Sequence, residues 1–277
     1  AGRELVDRMA RQSPARLALT VFAAVIAVFT GLLSTPFATT SGVRAPFVDA
    51  LFTATSAVCV TGLVTVPTGT YWSTFGQAVI LVAIKVGGLG VMTLASLLGM
   101  AVSRRIGLTQ KLLTASETKT TRLGEVGSLI RVVIITSTTI EVALALLLVP
   151  RFIVLRETVG EAVWHGIFYA VSVFNNAGFI PTEEGLIPHA GDWLLLLPII
   201  VGAFIGALGF PVILNVARNR RQFRRWSLHA KLTVVTSGLL VVAGSLMFVV
   251  LEWTNPGTFG RMPVGDKLLS GLFMGVM

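Results

Sequence analysis

Five long apolar runs organise this chain, at about Leu17–Leu33, Phe75–Val102, Val132–Val149, Leu194–Val216 and Leu232–Leu251. Each reaches or approaches the roughly 20 residues with which a helix crosses a hydrocarbon core, so the pattern predicts five spanning helices. Two shorter apolar pieces, near Phe47–Val60 and Ala162–Phe174, lie between the first and second runs and between the third and fourth. They are too short to span and are read as half-helices that enter the membrane and turn back.

The two short pieces are copies of one another. Phe52, Ala54 and Ser56 precede Gly62 at the offsets at which Phe168, Ala170 and Ser172 precede Gly178, and the two glycines stand 116 residues apart. The span after each copy carries a second shared pattern, Gly87-Gly-Leu-Gly90 in one and Gly206-Ala-Leu-Gly209 in the other. A third unit begins with Leu232–Leu251 and continues into Asp266–Met277, which has the look of another half-helix. The fold class predicted is an all-α membrane protein built of tandem helix–pore loop–helix units, divided as 1–105, 106–225 and 226–277. Irregular glycine-bearing backbone at membrane depth survives where it lines a wet cavity, which makes each glycine loop a candidate pore loop.

Composition agrees: 54% of residues are hydrophobic, 13% are charged and the mean hydropathy is +0.83, which excludes a water-soluble fold with a polar exterior. The net charge of +9 would suit a nucleic-acid partner, but the basic residues sit in particular loops. Arg3, Arg8, Arg11 and Arg16 precede the first span; Arg104, Arg105, Lys111, Lys119, Arg122 and Arg131 separate the second from the third; Arg218, Arg220, Arg221, Arg224, Arg225 and Lys231 separate the fourth from the fifth. The other side carries only Arg44, Arg151, Arg156, Arg261 and Lys267. The positive-inside rule therefore puts the N-terminus and the basic loops in the cytoplasm and has both glycine loops enter from outside, with no need of nucleic acid. The chain opens on Ala1 and stops at Met277, just inside the third short apolar run, so both ends read as cut. The one cysteine, Cys59, excludes an internal disulfide.

These motifs resemble the Trk/Ktr/HKT superfamily of potassium transporters. Thr55–Leu63 is similar to that family's first filter segment and Phe174–Phe179 to its second, while Gly87–Gly90 and Leu208–Pro211 resemble motifs in the helices that follow. The resemblance covers essentially the whole chain. It implies a potassium-channel-like fold of four units around one pore, a homodimer in the cell membrane, and a cytoplasmic nucleotide-binding regulatory ring beneath the basic loops. It also implies potassium over sodium, since glycine at the filter position of the first loop goes with potassium and serine there with sodium.

A dehydrated potassium ion needs oxygens in place of its water, and stacked backbone carbonyls supply them. The candidate filter residues are Cys59, Val60, Thr61 and Gly62 in the first loop and Asn175, Asn176, Ala177 and Gly178 in the second. The half-helix C-termini aim partial negative charge at the same place, while Asp49 and Glu161 stand at the opposite ends, as caps or as lures for cations. Asn175 and Asn176 are read as struts whose amides hydrogen-bond the loop backbone rather than as ion ligands. Lys85 interrupts the second span and Glu141 the third; the pair is the candidate support of pore or gate, since an intramembrane charge is a functional position by default. The Gly87/Gly90 and Gly206/Gly209 pairs are read as sites of close helix packing.

The sequence contains no Walker loop, no paired acids and no Ser/His or His/Glu cluster at membrane depth, so it is read as no enzyme and as needing no organic cofactor. His165, His189 and His229 show no ligand spacing. The function read is a pore-forming subunit of a potassium uptake system. The alternatives are a non-conducting assembly protein with an incomplete pore and a relative permeable to both sodium and potassium.

Overall fold

A computed structural model describes residues 14–105, 124–155, 157–220 and 222–277. Of the basic positions assigned to loops, Arg3, Arg8, Arg11, Lys111, Lys119, Arg122, Arg156 and Arg221 lie outside the described residues, as do the side chains of Arg16, Arg104 and Arg105. Nine helices carry the fold among the described residues: α1 (Pro14–Leu33), α2 (Phe47–Val58), α3 (Thr74–Arg105), α4 (Gly124–Val154), α5 (Val159–Phe174), α6 (Trp193–Ala207), α7 (Phe210–Arg218), α8 (Leu228–Glu252) and α9 (Val264–Val276). A single helical turn at Thr68–Tyr71 and four 3-10 turns join them, and no strand forms among the described residues.

The order is long helix, short helix, loop, long helix, repeated. Arg131–Val154 of α4 and Leu228–Glu252 of α8 are each long and apolar enough to cross a membrane. Helix α1, of 20 residues, and helix α3, of 32, cover the first two predicted spans; at 1.5 Å per residue they reach about 30 and 48 Å. The half-helices α2 and α5 run for 12 and 16 residues, too short to cross. In α8 only Ala230 is buried and Leu239, Leu240 and Val250 face outward, as expected of a helix whose solvent is lipid.

The predicted fourth span, Leu194–Val216, is not one helix. Helices α6 and α7 meet at 103°. Gly209 between them takes φ 77° and ψ 156°, a region open essentially to glycine alone, and Pro211 in the first turn of α7 has no N–H with which to continue the α6 ladder. Reading hydropathy alone runs straight through this break, because every residue around it is apolar. Gly209→Ala is expected to lower stability by about 1–3 kcal/mol. Gly238→Ala, in mid-α8 with open space around it, should be neutral or stabilising by comparison. Thermal unfolding in detergent separates the two.

Two cores locate the loops. The first joins Ala50, Ala54, Ala57 and Val58 of α2 and Ile80, Ala83 and Ile84 of α3 with Phe168, Ala177 and Phe179, so the second glycine loop is packed on the first unit. The second core holds Leu144, Leu148 and Phe152 of α4, Tyr169 and Phe174 of α5, and Leu195 and Ile199 of α6. Gln77 ties the two units: its amide nitrogen donates to the carbonyls of Thr68, Gly69 and Trp72, and its amide oxygen accepts from Trp164 Nε1 at 2.7 Å. Burying that amide costs little because both of its ends are satisfied.

Candidate functional site

The two glycine loops repeat one another in the backbone hydrogen bonds that close them. After α2, Val60 N–H donates to Ala57 O (3.2 Å) and Thr61 N–H to Ser56 O (2.8 Å); after α5, Asn176 N–H donates to Val173 O (3.0 Å) and Ala177 N–H to Ser172 O (2.8 Å). This is the Schellman closure of a helix, in which a left-handed residue turns the chain and satisfies the last carbonyls. The left-handed residues are Val60 (φ 56°) and Asn176 (φ 55°), followed two positions later by Gly62 (φ 77°) and Gly178 (φ 72°). Asparagine takes this conformation readily, whereas a β-branched valine does so only under strain, at a cost of order 1–3 kcal/mol.

The loops also touch. A Cβ built on Gly62 would stand 2.5 Å from the carbonyl oxygen of Ala177 and 3.1 Å from Gly178 Cα, and one built on Gly178 would stand 3.2 Å from Gly62 Cα. Glycine is required at position 62 on both counts, its positive φ and the backbone lying against it.

Glycines in the following helices let each half-helix end approach closely. A Cβ on Gly87 of α3 would fall on Val58 O, and one on Gly206 of α6 on Phe174 O, the last residues of α2 and α5. Gly90 faces only the Phe22 ring, and Gly209 has nothing within 4 Å. Close packing therefore holds for Gly87 and Gly206, and for Gly90 against the Phe22 ring of α1, 3.3 Å from a Cβ built there. For Gly209 the expectation is corrected: its role is the bend.

Lys85 and Glu141 meet. Lys85 Nζ donates to Glu141 Oε1 and Oε2 at 2.7 and 2.6 Å and to Ser137 Oγ at 2.9 Å. The same carboxylate accepts from Asn175 Nδ2 at 3.0 Å, and that amide also donates to Val171 O at 2.8 Å. Glu141 is 6% exposed. One buried carboxylate thus joins α3, α4 and the first residue of the second loop, and both of its oxygens accept hydrogen bonds, which is what makes such burial tolerable. The Asn175 amide is thus a strut to α4 and to its own helix, not to the loop backbone. Asn176, its amide oriented to satisfy both ends, donates to Ala203 O and accepts from Ala207 N–H, bracing the loop against α6.

At the other end of α5, Glu161 completes a capping box with Thr158. Hydrogen bonds from the Thr158 hydroxyl and backbone hold its carboxyl below the usual carboxylate range, so the cap is fully present above that range and is lost as the pH falls through the lowered value. Asp49 occupies the corresponding first turn of α2, where no side chain forms a cap hydrogen bond. His165 pairs with Glu157 at 3.0 Å, and no group of three or more His, Cys, Asp or Glu gathers among the described residues. Cys59 is an exposed loop residue.

Ser137 and the Gln77–Trp164 tie join the site without a motif to announce them. Ser137 was accessible in principle, since it lies one helical turn before Glu141 and so shares its face. Gln77 and Trp164 sit in different units and no local pattern pairs them.

Residues 11–276 match the family described as TrkH, cation transport protein. The chain belongs to the TrkH family. Ktr system potassium uptake protein B of Bacillus subtilis is 36% identical over 274 residues, covering 99% of this chain and 61% of that protein. Ktr system potassium uptake protein D of the same organism is 32% identical over 266 residues, 94% of this chain and 58% of that protein. Potassium/sodium uptake protein NtpJ of Enterococcus hirae is 31% identical over 270 residues, 96% of this chain and 58% of that protein. The chain thus spans about three fifths of the length of these relatives. This TrkH-family chain is an all-α membrane protein, and its family is one of cation transport rather than of enzymes.

Proposed function

We propose that this chain supplies the pore-forming part of a potassium uptake system, with the loops 59–62 and 175–178 as two walls of a selectivity filter. The observation that carries the reading is the apposition of Gly62 and Gly178 at the ends of two half-helices with matching backbone hydrogen bonds. Carbonyls of Cys59, Val60, Thr61 and Gly62 and of Asn175, Asn176, Ala177 and Gly178 replace the water of a dehydrated K+, and the C-termini of α2 and α5 add negative potential. Lys85 and Glu141 hold the second loop in register with the first unit. Relatives named as potassium uptake proteins support the choice of ion.

In this reading the units are 1–105, 106–225 and 226–277, the third contributing α8 and α9 to a further wall. The N-terminus and the basic loops lie in the cytoplasm of a cell-membrane protein, which works as a homodimer over a nucleotide-binding regulatory ring. A second reading, passage of sodium beside potassium, draws on the relative named as a potassium/sodium uptake protein. Expression of the whole protein in cells lacking potassium uptake tests both. Growth at limiting potassium with net K+ accumulation is expected. Failure to accumulate K+ despite membrane insertion contradicts the first reading, and equal accumulation of Na+ favours the second.

A further inference from the structure

The turn between α7 and α8 concentrates positive charge. Between Asn215 and His229 the sequence has no acidic residue. Arg218, Arg220, Arg224 and Arg225 are exposed, and no ion pair among the described residues involves them or Lys231.

The turn is nonetheless built. Trp226 Nε1 donates to Asn219 O at 3.0 Å, Ser227 N–H donates to Asn215 Oδ1 at 3.1 Å, and Lys231 Nζ reaches Arg224 O at 3.3 Å. The Phe223 and Trp226 rings lie 5.0 Å apart, and Phe223 is 54% exposed. Directly after it α8 begins, with Leu228 and Leu232 turned outward at 73% and 58% exposure.

Cations, an exposed aromatic ring and a lipid-facing helix thus share one edge. We infer that this turn binds the phosphate headgroups of anionic phospholipids in the leaflet it faces, with Phe223 inserted among the acyl chains. The occupant is chosen by charge complementarity and by continuity with the apolar surface of α8. A soluble anion satisfies the arginines but leaves Phe223 in water. The inference stands on membrane embedding alone and does not depend on the ion transported.

The test uses the whole protein in phosphatidylcholine vesicles containing brominated lipid as a fluorescence quencher. Phe223→Trp serves as the reporter, read as the difference from the unsubstituted protein. Brominated phosphatidylglycerol is expected to quench the added indole several-fold more effectively than brominated phosphatidylcholine. The preference should fall by roughly fivefold for each arginine removed in Arg224→Gln and Arg225→Gln, and survive Arg224→Lys and Arg225→Lys. Equal quenching by the two lipids, or an unchanged preference in the glutamine variants, overturns the inference and leaves the patch to a protein partner. Displacement by millimolar inorganic phosphate overturns it in favour of a soluble anion.

Discussion

Gly62→Ser in the whole protein is expected to lower the preference for K+ over Na+ at least roughly tenfold, the equivalent of about 1.4 kcal/mol between the two ions. Two independent constraints give that direction. A serine at φ 77° carries backbone strain of about 1–3 kcal/mol, and its Cβ would press on the Ala177 carbonyl, 2.5 Å away, in the opposite loop. A carbonyl pushed off its direction no longer compensates K+ for lost hydration, while the smaller Na+ tolerates a distorted or partly hydrated site. Gly160→Ser is the control, since a Cβ at that exposed position meets nothing within 4 Å. Ion uptake from mixed K+ and Na+ solutions reads the ratio; equal ratios in the two variants would remove Gly62 from the filter.

Glu141→Ala should produce the largest loss of stability of any single substitution considered. It takes the carboxylate from the half-buried Lys85 ammonium, which keeps only Ser137 Oγ, and from one hydrogen of the Asn175 amide, at a cost below the about 3–5 kcal/mol of a fully buried pair. Glu141→Gln keeps an acceptor for Asn175 and should cost less. Replacing Lys85 and Glu141 together by Met and Leu should recover much of the loss, because neither charge is then left alone. Thermal unfolding in detergent of the unsubstituted protein, Lys85→Met, Glu141→Leu and the double variant gives the coupling. Additive effects would mean that the contact carries no energy. Since Asn175 opens the second loop, Glu141→Gln should also shift ion preference, a readout that global destabilisation alone would not move.

Much of this arrangement can be read from the residues because its cause is local. Hydropathy and length distinguish α4 and α8 from α2 and α5, and a repeat of offset 116 announces two loops of one design. Lys85 and Glu141 attract notice as charges in apolar runs, and with few candidates the pairing is almost forced. What escapes is what depends on dihedral angles or on the meeting of distant segments. The left-handed Val60 goes against valine's preference for extended backbone, so no propensity argument selects it. The break at Gly209 hides within an unbroken hydrophobic run, where Pro211 is its one local signal. The Gln77–Trp164 tie links two units through side chains 87 residues apart, beyond any periodicity.

In the proposed filter potassium lies against the two adjoining glycine loops and is held by their carbonyls. Crystals of the whole protein grown with Rb+ in place of K+, measured at the rubidium absorption edge, locate the ion directly. Anomalous density is predicted within reach of the backbone carbonyls of residues 59–62 and 175–178. Rubidium bound elsewhere in the membrane region, with these two loops bare, would contradict it.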